Sequence, residues 1–300
     1  MALMQLQAVL IVLALALGPF VITVYGVGFY KKRTQSKRRN PINNSLLRSP
    51  GETLRQKIED VNLDISAYLS LVMLLPLMLY TLYISFSSLK NISLLVSVFY
   101  LLIGLSAVAF IIFKLIKLVK LKTNLSLGYD AELAVGQELN SMMRDGYWVF
   151  HDVPAETYNI DHVLVGAAGV FAIETKGRSK LKQKNGKADY KVKYDGFKLD
   201  FPGWSETEPL EQASRQAKSL QAWLSSAIGE IIQVKPILIL PGWFVESSTS
   251  RGIMVLNGKN PNSSLGKVFG KPLESKLIQQ IVHQLDQRCR TVKTQALQSK

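Results

Sequence analysis

Three long stretches near the start of the sequence contain no Asp, Glu, Lys, Arg or His. They cover residues 1–30, 65–89 and 91–113, and each is rich in Leu, Ile, Val and Phe. About 20 apolar residues suffice for a helix to cross the hydrocarbon core of a membrane. The pattern therefore predicts three transmembrane helices before residue 123.

Basic residues follow the first and the third apolar stretch. Six lie within residues 31–39, and four more are Lys114, Lys117, Lys120 and Lys122. Only Lys90 and Asn91 separate the second and third stretches, which predicts a tight helical hairpin with both outer ends on one side. Because Lys and Arg are retained on the cytoplasmic side of membranes, we expect a multi-pass protein of an inner or plasma membrane. Its N-terminus would lie outside and its C-terminal domain in the cytoplasm.

The pattern changes after Lys122, where segments of helical period alternate with short β-prone runs. Such alternation is typical of an α/β domain. The predicted organisation is a transmembrane anchor at 1–30, a basic cytoplasmic loop at 31–64, a transmembrane hairpin with a basic exit at 65–122, an α/β domain at 123–265 and a C-terminal helix at 266–300.

Composition narrows the classes of function. The mean hydropathy is +0.14, which argues against a wholly soluble chain, and the net charge is +14. A single cysteine, Cys289, excludes internal disulfides and zinc sites made of several cysteines. Three helices without ionisable groups also make a poor channel or transporter. The chemistry must therefore use oxygen and nitrogen groups of the part after residue 122.

A β-hairpin is predicted where two apolar runs flank the sequence Gly-Ala-Ala-Gly at 166–169. If the two alanines form the turn, Val165 faces Val170 and Asp161 faces Glu174. Directly opposed side chains share one face of a strand pair. Lys176 lies on the same face because side chains alternate with period two.

Two opposed carboxylates repel each other, and a divalent cation bound by Asp161 and Glu174 is the simplest compensation. Mg²⁺ fits such oxygen ligands, with Mn²⁺ as an alternative. With Lys176 beside it, this set suits the hydrolysis of a phosphodiester. The alternative is a surface hairpin with an ordinary exposed Glu–Lys pair. The apolar surroundings favour a core hairpin.

Two helices around this hairpin carry further polar candidates. Glu132 shares the apolar face of a predicted helix, where a carboxylate must be paired, protonated or bound to a metal. Alternatively, it is an acid favoured by the positive end of that helix. In a second helix at 207–227, Gln212 and Gln216 lie one turn apart. They would hold the lysine or a phosphate by hydrogen bonds, or simply be solvated.

The order of three segments resembles the nuclease-related domain, NERD, a branch of the PD-(D/E)xK nuclease-like families. The segments are GYDAE, IDHVLVGAAGVFAIETKG and PLEQASRQAKSL, and the resemblance covers roughly residues 125–240. It implies an α/β fold like that of restriction endonucleases, a mixed sheet flanked by helices, here preceded by three transmembrane helices. The predicted nuclease-like domain is the one at 123–265.

The resemblance also implies roles for single residues. Asp161 and Glu174 would be Mg²⁺ ligands, Lys176 the catalytic lysine and Glu132 the acid of the first helix. Gln212 matches the glutamine of the later helix. The sequence departs from the family pattern at two places, where Ile160 stands for the proline before the first acid and Gln216 for the tyrosine of QxxxY.

A basic segment follows the hairpin. Residues 178–193 contain seven Lys and Arg residues and only one acid, Asp189. This segment would bind a nucleic-acid backbone, bind anionic lipid or remain solvated. The sequence contains no phosphate-binding loop of the GxxxxGK[ST] type, so no nucleotide cofactor is expected. The three histidines are expected to be structural.

The sequence thus predicts a membrane-anchored, Mg²⁺-dependent nuclease that cleaves phosphodiester bonds of DNA on the cytoplasmic side. The membrane bilayer, with anionic lipid as an option, is its second expected partner. The alternative hypothesis is a catalytically inactive module that binds nucleic acid or another partner at the membrane.

Overall fold

The structure is a computed structural model, which describes residues 2–35, 44–89, 93–180, 190–249, 251–265 and 272–293. The described residues form two compact units. The first comprises those within 1–43 and 59–122. The second comprises those within 44–58 and 123–294, and it holds all the candidate site residues.

Three long helices dominate the N-terminal part: α1 (Ala2–Gln35), α2 (Glu52–Leu89) and α3 (Leu94–Asn140). Two described helical stretches, Glu52–Ser87 and Leu94–Asp145, are long and apolar enough to cross a membrane. In the most apolar 18-residue stretch of each helix, only 6% is buried inside the protein. Since water would solvate these exposed side chains poorly, the pattern weakly indicates membrane association.

The prediction of three membrane helices is therefore corrected to two among the described residues. The described apolar stretch of α1 is Val21–Tyr30, and ten helical residues span about 15 Å, half of a hydrocarbon core. Most side chains between residues 2 and 20 lie outside those described. Lys90 and Asn91, where the tight turn is predicted, also lie outside the described residues.

Helices α2 and α3 extend beyond their apolar parts. The predicted loop at 31–64 contains the start of α2 from Glu52 onward, because residues 52–64 include strong helix formers and no glycine or proline. In the same way α3 continues past Lys122 to Asn140. The apolar run and the helix predicted around Glu132 are thus one helix.

The second unit contains two mixed sheets, not the single sheet that the sequence predicts. A five-stranded sheet has the order β1-β2-β3-β7-β9. The pairs β1–β2 and β2–β3 are antiparallel, and the pairs β3–β7 and β7–β9 are parallel. These strands are β1 (Trp148–Pro154), β2 (Asn159–Gly166), β3 (Gly169–Thr175), β7 (Val234–Ile239) and β9 (Met254–Leu256).

The second sheet has four short strands in the order β6-β5-β4-β8. They are β4 (Lys191–Tyr194), β5 (Leu199–Phe201), β6 (Trp204–Glu206) and β8 (Phe244–Ser247). Their inward side chains pack on Leu238 and Leu240, and on Trp243 beyond them, in one apolar cluster. The smaller sheet is thereby joined to the main one.

Helices cover both faces of the five-stranded sheet. Helices α4 (Glu208–Ile228) and α6 (Ser275–Cys289) pack on the face that carries Val163 and Val170. The end of α3, with Val135 and Leu139, packs on the opposite face, and a 3₁₀ helix (Ser141–Asp145) follows it. A short helix, α5 (Pro261–Leu265), precedes residue 266. The fold class is a mixed α/β domain of helices around a sheet.

Candidate active site

The hairpin of β2 and β3 has the predicted register. Val165 pairs with Val170, and the strand pairing continues back to His162 opposite Ile173. Beyond that pair, the carboxylate of Asp161 accepts a hydrogen bond from the backbone N–H of Thr175 at 2.6 Å. The side chain of Asp161 is thus fixed against the end of β3, beside Glu174.

Glu174 is almost completely buried, with 1% of its surface exposed. Its Oε1 lies 2.7 Å from Nζ of Lys176, and its Oε2 accepts a hydrogen bond of 2.6 Å from Nε2 of Gln216. The backbone N–H of Lys176 donates to the carbonyl of Ile239 at 2.9 Å. The Glu-x-Lys segment is therefore held by the parallel neighbour strand β7 as well as by its own side chains.

Helix α4 places two glutamines over this segment. Its buried stripe includes Leu210, Ala213, Ala217 and Leu220, and the glutamines lie beside it. Gln212 accepts a hydrogen bond of 2.9 Å from the ammonium group of Lys176, one of the roles considered above. Gln216 is buried rather than solvated, so for this residue the solvated alternative is wrong. Its contact with Glu174 could not be inferred from spacing, because it depends on where α4 crosses the sheet.

Glu132 is buried in the part of α3 that lies well beyond the charge-free run ending at Phe113. The backbone N–H of Gly51 hydrogen-bonds its carboxyl group. Burial, reinforced by the charges of Asp152 and Glu174, raises the pKa of Glu132 to about 8. The structure therefore excludes a solvated acid at a helix start.

The other two acids have raised pKa values as well. Burial, together with the charges of Glu174 and Glu132, raises the pKa of Asp161 well above its usual range. Burial also raises the pKa of Glu174, while Lys176 and Gln216 partly oppose this shift. The charge of Glu174 thus disfavours the ionised forms of Glu132 and Asp161, and Lys176 supplies one positive charge against all three acids.

The chemistry of these donors fits a hard divalent cation, which binds carboxylate oxygens and favours their ionised form. Asp161 and Glu174 are the residues that would hold it. In the described part of the chain, however, no group of three or more His, Cys, Asp or Glu side chains is placed to hold a metal ion. Both oxygens of Glu174 already contact other side chains.

A cavity of about 420 Å³ opens beside Glu132 and Asp161. One wall is the loop after β1, with Glu156 and Tyr158, and another is the start of α2, with Thr53 and Lys57. The start of α2 precedes the candidate motifs by more than 70 residues, so no local pattern connects it with them. The candidate site thus includes residues that the sequence does not indicate.

Asp152 connects this early segment with the sheet. It is buried and has a positive φ of 49°, which is uncommon outside glycine. It forms an ion pair with Arg48, and its Oδ2 accepts a hydrogen bond of 2.8 Å from the backbone N–H of Thr53. Asn159 donates to its other oxygen at 2.9 Å. The sequence does not indicate that Asp152 connects these segments, because its backbone angle and its contacts appear only in the fold.

Two of the histidines form a buried pair across β1 and β2. Nδ1 of His151 lies 2.9 Å from Nδ1 of His162, and Nε2 of His151 lies 3.1 Å from Oδ1 of Asn140. Burial lowers the pKa of His151 to about 4 and that of His162 well below its usual range. Both are therefore neutral near pH 7 and act in packing, as the sequence predicts for the histidines.

The described members of the basic segment are largely engaged. Arg178 forms two hydrogen bonds of 2.9 Å with Glu206, Lys191 pairs with Glu246, and Nζ of Lys180 lies 5.5 Å from the centre of the Trp243 ring. Residues 181–189 lie outside the described residues. The interpretation of this segment as a nucleic-acid rim stays a prediction.

Comparison with known proteins shows a similarity to a family over part of the chain. The family model of the nuclease-related domain, NERD, matches residues 127–241. This confirms the resemblance found in the sequence over nearly the same residues. Among curated proteins and among solved structures, no significant match was found.

Proposed function

We propose, for a chain whose residues 127–241 form a nuclease-related domain, that the second unit hydrolyses phosphodiester bonds of DNA in a metal-dependent reaction. The observation that carries this proposal is the convergence of three carboxyl groups with one ammonium group. The charge of Glu174 raises the pKa values of Glu132 and Asp161, and Lys176 lies 2.7 Å from Glu174. Clusters of titratable groups with strongly shifted pKa values are more frequent at active sites than elsewhere.

The fold supports the same conclusion. A mixed sheet with helices on both faces, and acids at the ends of two adjacent strands, is compatible with the restriction-endonuclease-like arrangement that the family implies. In this proposal Asp161 and Glu174 hold Mg²⁺ or Mn²⁺. The ion, when bound, would supply polarisation of the phosphate and a lowered pKa of bound water. Glu132, on α3, would add a third carboxyl group to this cluster.

Lys176 and Gln212 have separate roles in this proposal. Gln212 accepts a hydrogen bond from the lysine at 2.9 Å and so restricts the position of its ammonium group. That group would donate hydrogen bonds to the attacking water or to the developing negative charge on the phosphate. Gln216 would orient Glu174, because it occupies one of its two oxygens.

The test uses the full chain purified in detergent and incubated with plasmid and with single-stranded DNA, in Mg²⁺, in Mn²⁺ and in EDTA. Metal-dependent cleavage should be lost in Asp161→Asn and in Lys176→Gln. The matched control is Glu230→Gln, since Glu230 is an exposed acid after α4. Full cleavage by Asp161→Asn would contradict the assignment of the site.

A second candidate function is a module that binds nucleic acid without cutting it. The contacts of Glu174 favour this alternative, because Lys176 and Gln216 already satisfy both of its oxygens. A metal would have to displace or share one of these contacts. Binding of DNA that is equal with and without Mg²⁺, in the absence of cleavage, would support the module.

We further propose that α2 and α3 anchor this domain to an inner or plasma membrane, with the second unit in the cytoplasm. The support is the exposed apolar surface of two long helices and the lysines that follow residue 113. Extraction of membranes with alkaline carbonate should leave the protein in the pellet. In vesicles of known orientation, protease should remove the second unit only from the cytoplasmic side.

A further inference from the structure

The cavity beside Glu132 and Asp161 is not built by the matched family domain alone. Thr53, Leu54 and Lys57, from the first two turns of α2, form part of its lining. These residues lie far outside residues 127–241. The start of α2 is therefore placed to contact whatever enters the cavity.

This wall is held firmly in place. The backbone N–H of Thr53 donates to Asp152 at 2.8 Å, and Arg48 pairs with the same carboxylate. The backbone N–H of Arg48 also donates to the carbonyl of Cys289 at 3.1 Å. A segment fixed at several points presents its side chains with little loss of conformational entropy on binding.

Lys57 is the one cationic residue among the described residues that line this cavity. It is exposed, and no acid pairs with it in the described part of the chain. The neighbouring Arg55, in contrast, contacts Glu52 at 2.6 Å. Glu156 on the same lining would repel a polyanion, so a cation at this wall changes what the cavity can admit.

We infer that Lys57 binds a backbone phosphate of the nucleic acid that enters this cavity, next to the phosphate that is cleaved. The inference rests on the proposed function and extends it to a residue outside the matched domain. A lysine offers a phosphate a compact positive charge with three hydrogen-bond donors. Lys57 is thus a substrate-binding residue and does not take part in the bond-breaking step.

The test measures binding of a labelled single-stranded oligonucleotide to the full chain in detergent by fluorescence anisotropy, in EDTA and over a series of salt concentrations. Lys57→Ala should weaken binding about 5- to 10-fold at low salt. It should also make the plot of log K against log salt shallower by about 0.7, the value for one lost phosphate contact on a single strand. Lys57→Arg should retain most of the affinity.

The matched control is Lys276→Ala, because Lys276 is an exposed lysine on α6 that does not line the cavity. In cleavage assays with Mg²⁺, Lys57→Ala should raise KM by a similar factor and leave kcat within about 2-fold, the pattern of lost ground-state binding. Equal affinities of the Lys57→Ala and Lys276→Ala variants, or a loss confined to kcat, would overturn the inference while leaving the nuclease proposal intact. Wild-type protein that neither binds nor cuts nucleic acid would overturn both.

Discussion

The ammonium group of Lys176 lies 2.7 Å from Oε1 of Glu174, which is two positions before it in the chain. The carboxylate is buried, with 2% of its side chain exposed, whereas the lysine side chain is 21% exposed. The positive charge of Lys176 therefore balances the negative charge of a carboxylate that water cannot reach. This pair links the stability of the domain to its proposed chemistry.

Replacing Lys176 by Met should lower the stability of the second unit as well as abolish cleavage. Loss of one partner leaves a buried charge unpaired, which costs about 3–5 kcal/mol. The loss should be larger at pH 8 than at pH 5, because a lower pH favours the neutral form of the unpaired, buried carboxyl group. Thermal unfolding followed by tryptophan fluorescence isolates this unit, because all four tryptophans lie between residues 148 and 243. Lys276→Met is the control, and equal losses at both pH values would argue against a buried pair.

Gln216 and Gln212 should respond differently to substitution by Leu. Gln216→Leu removes the 2.6 Å hydrogen bond to buried Glu174 and should cost about 1–3 kcal/mol of stability. Gln212 is only half-buried and contacts the lysine, so Gln212→Leu should mainly slow cleavage. Melting temperatures and kcat of the two variants give the comparison. The same stability loss in both variants would contradict this division.

The raised pKa of Glu132 predicts that stability falls as the pH rises. Between pH 6.5 and 8 the unfolded carboxyl group, with its ordinary pKa of 4.5, is ionised, while the folded group, with a pKa of about 8, still holds its proton. Unfolding therefore releases a proton and is favoured by higher pH, by about 1–2 kcal/mol over this range. Unfolding of wild type and Glu132→Gln in EDTA measures the effect. The slope should flatten in the variant, and an unchanged slope would locate the titrating group elsewhere.

The buried histidine pair predicts a loss of stability in acid. The folded pKa of His151 is lowered to about 4, so below pH 6.5 the unfolded chain binds protons that the folded chain does not. Stability from this pair is complete above pH 6.5 and is lost as the pH falls toward 4. A His151→Gln, His162→Gln double variant should show a weaker loss over that range. The comparison with wild type at each pH separates this effect from that of Glu132, Asp161 and Glu174, whose raised pKa values act with the opposite sign.

Gly177, directly after Lys176, should not tolerate a side chain. A Cβ atom at this position would lie 2.8 Å from the carbonyl oxygen of Leu127 and 3.0 Å from Cβ of Ala131, both on α3. Gly177→Ala should therefore displace the part of α3 that carries Glu132, at a cost of about 1–3 kcal/mol. Gly229→Ala is not a suitable control because Gly229 has a positive φ. The suitable control is Ser219→Ala, at an exposed site of α4. Equal stability of the two variants would show that α3 adjusts freely.

Local patterns in the sequence were sufficient for the hairpin and for the shared face of its polar residues. The register of β2 and β3 follows from a two-residue turn between β-prone runs, because side-chain alternation leaves few alternatives. The helix predicted at 207–227 likewise corresponds to α4, whose buried face includes Leu210, Ala213 and Ala217. The resemblance to the nuclease-related domain depended on the same segments, and the family match confirms it.

The prediction of three membrane helices and one sheet was less accurate. Apolar runs measure hydrophobicity but not where a helix begins, so the extension of α2 to Glu52 was missed. The four-stranded sheet was not predicted, because its strands are only three or four residues long. So short a run contains too few positions to display a period of two.

The sequence by itself determined which side chains share a strand face or a helix stripe, since both depend on spacing along a regular backbone. Tertiary structure decided which faces meet: Gln216 with Glu174, Gly51 with Glu132, and Lys57 with the cavity beside Asp161. These contacts join residues that lie 42 to more than 100 positions apart. They arise from the packing of whole elements, and no local period of hydrophobic and polar residues encodes them.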